Sequence, residues 1–284
     1  MQNVSNSDPS VVAALLRMHF HDCFVKGCDA SILVDKNSNG KATEKFAAPN
    51  LSVRGYDVID SIKTTLEQKC PGVVSCADII VMATRDAVNF SSRGAVQYVV
   101  ETGRLDGKIS DISNVNLPSP KISVVDSIKA FDQKGLNPTD MVYLLGGHTV
   151  GKAHCGFFQD RLYNFNGTMK PDPTMHPNLV TELKLECPPQ STGGNSVDLD
   201  QNKDSSLTVD KSYYEQLLRN RGILEIDQNL ASSGLTNMTV IQIANSLDFG
   251  SKFGEAMRKL GRVEVKTSLL NGEIRTSCRA VNTN

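Results

Sequence analysis

Net charge is almost missing from this chain: 30 lysines and arginines stand against 31 aspartates and glutamates, leaving −1. That balance gives no electrostatic case for binding nucleic acid or an anionic membrane. No apolar run approaches the roughly 18 residues that suggest a membrane-spanning helix. The opening residues, Met1-Gln2-Asn3-Val4-Ser5-Asn6, have neither a basic start nor an apolar stretch, so no signal peptide is expected in this chain. CxxC pairs are also lacking, although there are seven cysteines, which weighs against a zinc ribbon or a thioredoxin-like site. Those cysteines, with five Asn-x-Ser/Thr sequons beginning at Asn3, Asn50, Asn89, Asn166 and Asn237, point instead to an oxidising compartment. The cysteines and the N-terminus therefore conflict. At 284 residues the chain can hold one large domain or two subdomains around a shared core.

What is present is helical patterning. Asp8-Pro9 supplies a start signal, and Val11, Val12, Leu15 and Leu16 recur at helical spacing. Further helices are predicted over Tyr56–Lys69 and Ser75–Val88, the latter with Ser75 as N-cap and Asp78 as the acid three residues on. Others are predicted over Ser123–Lys134, from Asn137-Pro138 to Gly146, over Asp210–Asn220 and over Thr239–Leu260. Leu117-Pro118-Ser119-Pro120 is a stiff, extended connection suited to a boundary between halves. Phe165–Ser206 is rich in Pro, Gly, Asn and Asp and is expected to be mostly loop. Strand signals are few and short, with Tyr98–Thr102 the best of them.

Within the first helix, Arg17 and His21 lie four residues apart and share one face, with Phe20 beside them. An arginine near a histidine favours neutral imidazole, which can accept a proton at neutral pH. A neutral base beside a fixed cation suits a reaction that removes a proton and builds negative charge. Read alone, the pair fits an ordinary polar helix face equally well. A second feature is His148, preceded by Gly146-Gly147 and followed by Thr149-Val150-Gly151 at the end of an apolar helix. Glycines leave room for close approach of a large planar ligand. A third is the isolated carboxylate of Asp227.

Several motifs then occur in one order along the chain: Arg17-Met18-His19-Phe20-His21-Asp22-Cys23-Phe24, Gly27-Cys28-Asp29-Ala30-Ser31, Val74-Ser75-Cys76-Ala77-Asp78, Leu117-Pro118-Ser119-Pro120 and Gly146-Gly147-His148-Thr149. Asp160-Arg161-Leu162-Tyr163-Asn164 and Gly272-Glu273-Ile274-Arg275-Thr276-Ser277-Cys278 continue the series to the C-terminus. Together they closely resemble the secretory plant haem peroxidases of class III. The resemblance implies a mostly α fold with minor short strands, in which two helical halves enclose haem b. It implies a single domain over residues 1–284, with a distal half of about 1–120 plus 265–284 and a proximal half of about 121–264. His148 matches the axial ligand of haem iron, and Asp227 the carboxylate that accepts its other ring N–H. His21 matches the distal base that moves a proton between the two oxygens of hydrogen peroxide, and Arg17 the group that stabilises the developing negative charge. Asn50 matches the acceptor that fixes the His21 tautomer, Phe20 the ring that limits access to the iron, and Pro118 the residue that helps seat aromatic donors.

Two Ca²⁺ sites follow from the same resemblance. Asp22, Asp29 and Ser31 offer side-chain oxygens and Val25 and Gly27 backbone carbonyls, an oxygen-rich set suited to a hard cation, with Glu44 behind it. The proximal set is Thr149, Asp200, Ser205, Thr208 and Asp210. Its loop looks two residues longer than usual, with Asp204 as a rival to Asp200, and weaker calcium binding is expected there. The family pattern pairs Cys23 with Cys28, Cys76 with Cys278 and Cys155 with Cys187. Cys70 is expected to be unpaired, because its usual partner, with the signal peptide and most of the first family helix, falls upstream of Met1. The usual tryptophan is replaced by Tyr98, and Lys121 and Phe157 are candidates for the donor entrance.

The implied activity is a hydrogen-peroxide-dependent oxidation of phenolic or similar aromatic donors, in a monomeric, secreted or vacuolar plant enzyme of oxidative metabolism with no nucleic-acid or membrane partner. Two other classes are open to test. One is a shortened, haem-poor relative without catalysis. The other is a zinc hydrolase built on His19, His21 and Cys23, against which the helical spacing argues.

Overall fold

A computed structural model describes residues 1–36, 40–189 and 194–283. Among the described residues there are twelve α-helices, beginning with α1 (Gln2–Ser7), α2 (Val11–Lys26), α3 (Tyr56–Lys69), α4 (Cys76–Ser91), α5 (Val124–Asp132) and α6 (Pro138–Leu145). They continue with α7 (Gln159–Tyr163), α8 (Pro177–Glu186), α9 (Ser212–Leu218), α10 (Glu225–Ser232), α11 (Asn237–Asn245) and α12 (Phe249–Leu260). Four short strands make two antiparallel pairs, β1 (Asp106–Gly107) with β4 (Gly272–Glu273) and β2 (Lys152–His154) with β3 (Ser196–Asp198). The fold is mostly α, and no described helix is long and apolar enough to cross a membrane.

The chain divides into two compact units. The first comprises Met1–Leu117 and Gly254–Asn284. Its α2 is buried on nearly every side, through Val11, Val12, Leu15, Leu16, Met18, Cys23 and Phe24, and packs on α4. A helix buried on so many sides belongs inside a core, and the polar side chains it carries there, His19, His21 and Asp22, are buried with it. The Ser75 hydroxyl caps α4 by accepting the Asp78 amide at 3.1 Å. The fully buried Asp106 carboxylate takes the Cys76 and Ala77 amides at 3.1 and 2.8 Å, and the Arg275 amide at 2.9 Å. It thus ties the start of α4 to the C-terminal segment. Residues 254–264 lie with this unit rather than with the second, where the sequence reading ended the proximal half. Arg104 explains why: buried and paired with Asp78 at 2.8 Å, it donates to the Gly261 carbonyl just past α12. Cys28 adds a backbone bond to Val263.

The second unit is Pro118–Phe253, so the boundary falls within Leu117-Pro118. Arg161 is its buried organiser. It pairs with Asp172 at 2.8 Å and donates to the carbonyls of Gly222, Ile223 and Leu224. Three disulfides are present: Cys23–Cys28 and Cys76–Cys278 in the first unit, Cys155–Cys187 in the second. Cys70 belongs to none of them.

Several local features depart from the sequence reading or add to it. The 165–206 stretch, read as mostly loop, is largely so among the described residues but also holds α8 and β3; residues 190–193 fall outside those described. Pro177 takes the permissive first turn of α8 and Leu179, Val180 and Leu183 bury one stripe, a short pattern hidden among polar neighbours. The single helix expected over Thr239–Leu260 breaks into α11 and α12, because Ser246 turns extended (φ −96°, ψ 167°) and bonds Asp248. Tyr98–Thr102 pairs with no described strand; the paired strand β1 starts further on. The helices α1, α7 and α10 were not foreseen, being short; α7 and α10 also carry polar side chains at buried positions, Arg161 in the one and Asp227 and Gln228 in the other.

Candidate active site

In the first unit, α2 sets Arg17 and His21 one turn apart. Arg17 Nε–H points at His21 Nε2, 3.3 Å away. The guanidinium is also held by the 49–52 loop, donating to the Pro49 carbonyl at 2.8 Å and to Ser52 Oγ at 3.0 Å. The same loop supplies Asn50, whose Oδ1 lies 2.6 Å from His21 Nδ1. The Asn50 amide nitrogen is committed to the Glu44 carbonyl at 2.7 Å, so its oxygen faces the imidazole and Nδ1 carries the proton. Nε2 is then the basic nitrogen. Burial and the neighbouring Arg17 charge push the His21 imidazole down to about 4, against a smaller raising effect from Asn50. At neutral pH the group is a neutral base beside a fixed cation. Phe20 meets His21 edge-on at 6.2 Å and lies against Phe24 at 4.7 Å.

His19 points elsewhere. It is fully buried, neither ring nitrogen has a partner among the described residues, and burial pushes it down to about 3. It stands near Cys23 and Cys28, but their sulfurs are bonded to each other. The thiolate that a zinc site on His19, His21 and Cys23 requires is therefore not there.

In the second unit, α6 is started by a capping box in which Asn137 and Asp140 exchange bonds, and it ends in the turn Gly146–Thr149 that carries His148. His148 Nδ1 lies 2.8 Å from Asp227 Oδ1 on α10. With Nδ1–H given to that carboxylate, Nε2 is left as the ligating nitrogen for a metal. The Tyr213 hydroxyl on α9 donates to the same Asp227 oxygen, also at 2.8 Å. Burial and the Asp227 charge hold the Tyr213 phenol well above its ordinary value, so it keeps its proton. Sequence reasoning missed Tyr213, since only the folded chain brings α9 and α10 together.

The two glycines before His148 do different jobs. A Cβ on Gly146 would meet the Tyr214 hydroxyl at 2.3 Å, and that hydroxyl donates to the Val142 carbonyl. Gly146 therefore serves internal packing. A Cβ on Gly147 would meet open space, so room for a ligand beside His148 exists there. An oriented imidazole next to open space fits a haem.

The residues expected around calcium are also gathered in each unit. Asp22 takes the Ala30 amide at 2.9 Å, Asp29 the Ser31 amide at 3.1 Å, and Glu44 the Ser31 hydroxyl at 2.9 Å. All three carboxylates are buried, and Glu44 Oε1 has no partner among the described residues. Burial, then the Asp29 charge, drive Asp22 upward and Glu44 to about 8. One Asp29 oxygen pairs with Lys266. A buried acidic cluster with so little counter-charge fits a divalent cation. Val25 lies in the last turn of α2, and Gly27, directly after Lys26, has φ +91°; a Cβ there would strike the Glu264 carbonyl.

In the second unit Thr149 Oγ1 lies 3.3 Å from Asp210 and 3.4 Å from the Thr208 carbonyl. Asp200 is buried, receives Ser205 and Ser212 hydroxyls at 3.4 Å, and is pushed by burial to about 6. Burial also raises Asp210. Asp204 is exposed, which leaves Asp200 as the carboxylate facing the set. Pro118 is partly exposed at the start of this unit. Nearby, Lys121 pairs with Asp160 at 2.5 Å, so its charge is already compensated. Phe157 is exposed.

An α-helical chain with an oriented imidazole beside open space and a linked arginine–histidine–asparagine network has the arrangement expected of haem enzymes that act on peroxides. The peroxidase family model matches residues 1–246. Peroxidase 60 of Arabidopsis thaliana is 53% identical over 273 residues, covering 96% of this chain and 81% of that protein. Peroxidase 57 of the same plant is 49% identical over 275 residues, covering 96% and 84%. Peroxidase 5 of Vitis vinifera is 45% identical over 278 residues, covering 97% and 83%. The chain belongs to the plant haem peroxidase family: it is an oxidoreductase that uses hydrogen peroxide to oxidise small-molecule donors.

Proposed function

We propose that this peroxidase oxidises phenolic or similar aromatic donors by one-electron steps, with haem b ligated by His148 and hydrogen peroxide processed by His21 and Arg17. The observation that carries the reading is the chain of contacts from Arg17 through His21 to Asn50, which leaves His21 neutral with Nε2 as its basic atom. Haem, when bound, supplies the iron redox chemistry. His21 Nε2 takes a proton from one peroxide oxygen, holds it as imidazolium, and returns it to the departing oxygen. Asn50 keeps Nδ1–H fixed throughout, so the ring does not change tautomer. Arg17 stabilises the negative charge that builds as the O–O bond breaks, and Asp227 orients His148. Phe20 restricts access and Pro118 helps seat the donor. This reading includes a single functional domain over residues 1–284, action as a monomer, and a secreted or vacuolar location in keeping with the three disulfides.

The test is peroxide-dependent oxidation of guaiacol by the haem-loaded protein across pH. His21 must be unprotonated, so the rate of the peroxide step should fall as pH drops through about 4. Arg17→Leu removes one of the two causes that keep His21 low. Its acid limb should move upward toward the ordinary imidazole value, and its rate should fall by about 10²–10³-fold, as for loss of one positioned donor. An acid limb that stays in place would contradict the assigned electrostatics.

Calcium belongs to the same proposal, held by Asp22, Val25, Gly27, Asp29 and Ser31 with Glu44 behind them, and by Thr149, Asp200, Ser205, Thr208 and Asp210. Titration with a chelator should release the second ion first, and Asp200→Ala should lack that ion from the start. Two ions held equally tightly in the unsubstituted protein would overturn the weaker second site.

A further inference from the structure

One oxygen of Asp227 carries two donors. The Tyr213 hydroxyl and His148 Nδ1 each lie 2.8 Å from Oδ1, while Oδ2 accepts nothing among the described residues. Tyr213 is 1% exposed and Asp227 0%, so water does not compete for this oxygen. Packing fixes the phenol in place. Its ring meets His148 edge-on at 6.1 Å and Tyr214 at 5.0 Å, and Tyr214 is itself anchored on the Val142 carbonyl. A hydroxyl that donates to a carboxylate draws off part of its charge. The carboxylate then pulls less strongly on the imidazole proton, and the imidazole donates less to a bound metal.

We propose that Tyr213 is a positioning residue for the peroxidase reaction, one that acts through Asp227 to limit the electron donation of His148 to haem iron. The inference rests on His148 being the iron ligand. Tyr213→Phe keeps the ring and its contacts and removes only the donor. In the haem-loaded protein, the ferric–ferrous equilibrium should shift about tenfold toward ferric, a potential about 59 mV more negative. Resonance Raman spectra of the ferrous variant should show the iron–histidine stretch at higher frequency, with haem content unchanged. A potential and a stretch equal to those of the unsubstituted protein would overturn the role of Tyr213. Absence of any iron–histidine band in the unsubstituted protein would overturn the ligand assignment instead, so the two failures read differently. Should the Phe variant not fold, 3-fluorotyrosine at position 213, a stronger donor, should move both observables the opposite way. No movement there overturns the proposal as well.

Discussion

His21→Ala should lower the second-order rate constant for hydrogen peroxide by about 10²–10⁴-fold, the range general acid–base catalysis contributes. The loss should be confined to the peroxide step, because His21 lies on α2 in the first unit while the assigned iron ligand His148 lies in the second. Haem content and the rate of donor oxidation in the later steps should stay near those of the parent. Asn50→Val tests the same assignment from the other side of the ring. It removes the acceptor 2.6 Å from Nδ1, lets the imidazole take either tautomer, and should produce a smaller loss of the same kind. Stopped-flow absorption with excess peroxide measures both. A rate constant for His21→Ala within a factor of a few of the parent would contradict His21 as the base.

The largest expected effect on stability comes from the Cys76–Cys278 bridge. Its cysteines are 202 residues apart, and the loop it closes contains every residue of the second unit. The chain-entropy relation gives about 5 kcal/mol for a loop of that length, and about 2 kcal/mol for the five-residue separation of Cys23–Cys28. Against a total of ~5–15 kcal/mol for a folded domain, the first figure approaches the whole margin. Cys76→Ser combined with Cys278→Ser should therefore lower the urea midpoint far more than Cys23→Ser combined with Cys28→Ser. The bridge also sits beside Asp106, which binds the Cys76 amide and the Arg275 amide, so its loss loosens a junction that the carboxylate also holds. Equal midpoints for the two double variants would contradict the loop-length argument.

Much of the site was legible because its parts are local. Arg17 and His21 share a face at one-turn spacing, and the structure puts their ring and guanidinium nitrogens 3.3 Å apart. Gly146-Gly147 marked room for a close planar ligand, although only Gly147 opens onto free space and Gly146 packs against Tyr214. Contacts across long sequence distances were a different matter. Asn50 carries no local signature and Asp227 stands out only as an isolated carboxylate, so their places beside His21 and His148 were expected only through resemblance to a family. Tyr213 was missed altogether, because its partner is 14 residues away on another helix. Among the helices, long amphipathic segments such as α3 and α4 were readable. Short ones with buried polar residues, such as α10, depend on tertiary partners that periodicity does not report.

Absorption spectroscopy of His148→Ala beside the unsubstituted protein tests the central claim most directly. The unsubstituted protein, loaded with haem, should show a Soret band that shifts on adding hydrogen peroxide. His148→Ala should lose that response and regain part of the ligation when imidazole is added from solution. No haem uptake by the unsubstituted protein, or an unchanged peroxide response in His148→Ala, would contradict the account.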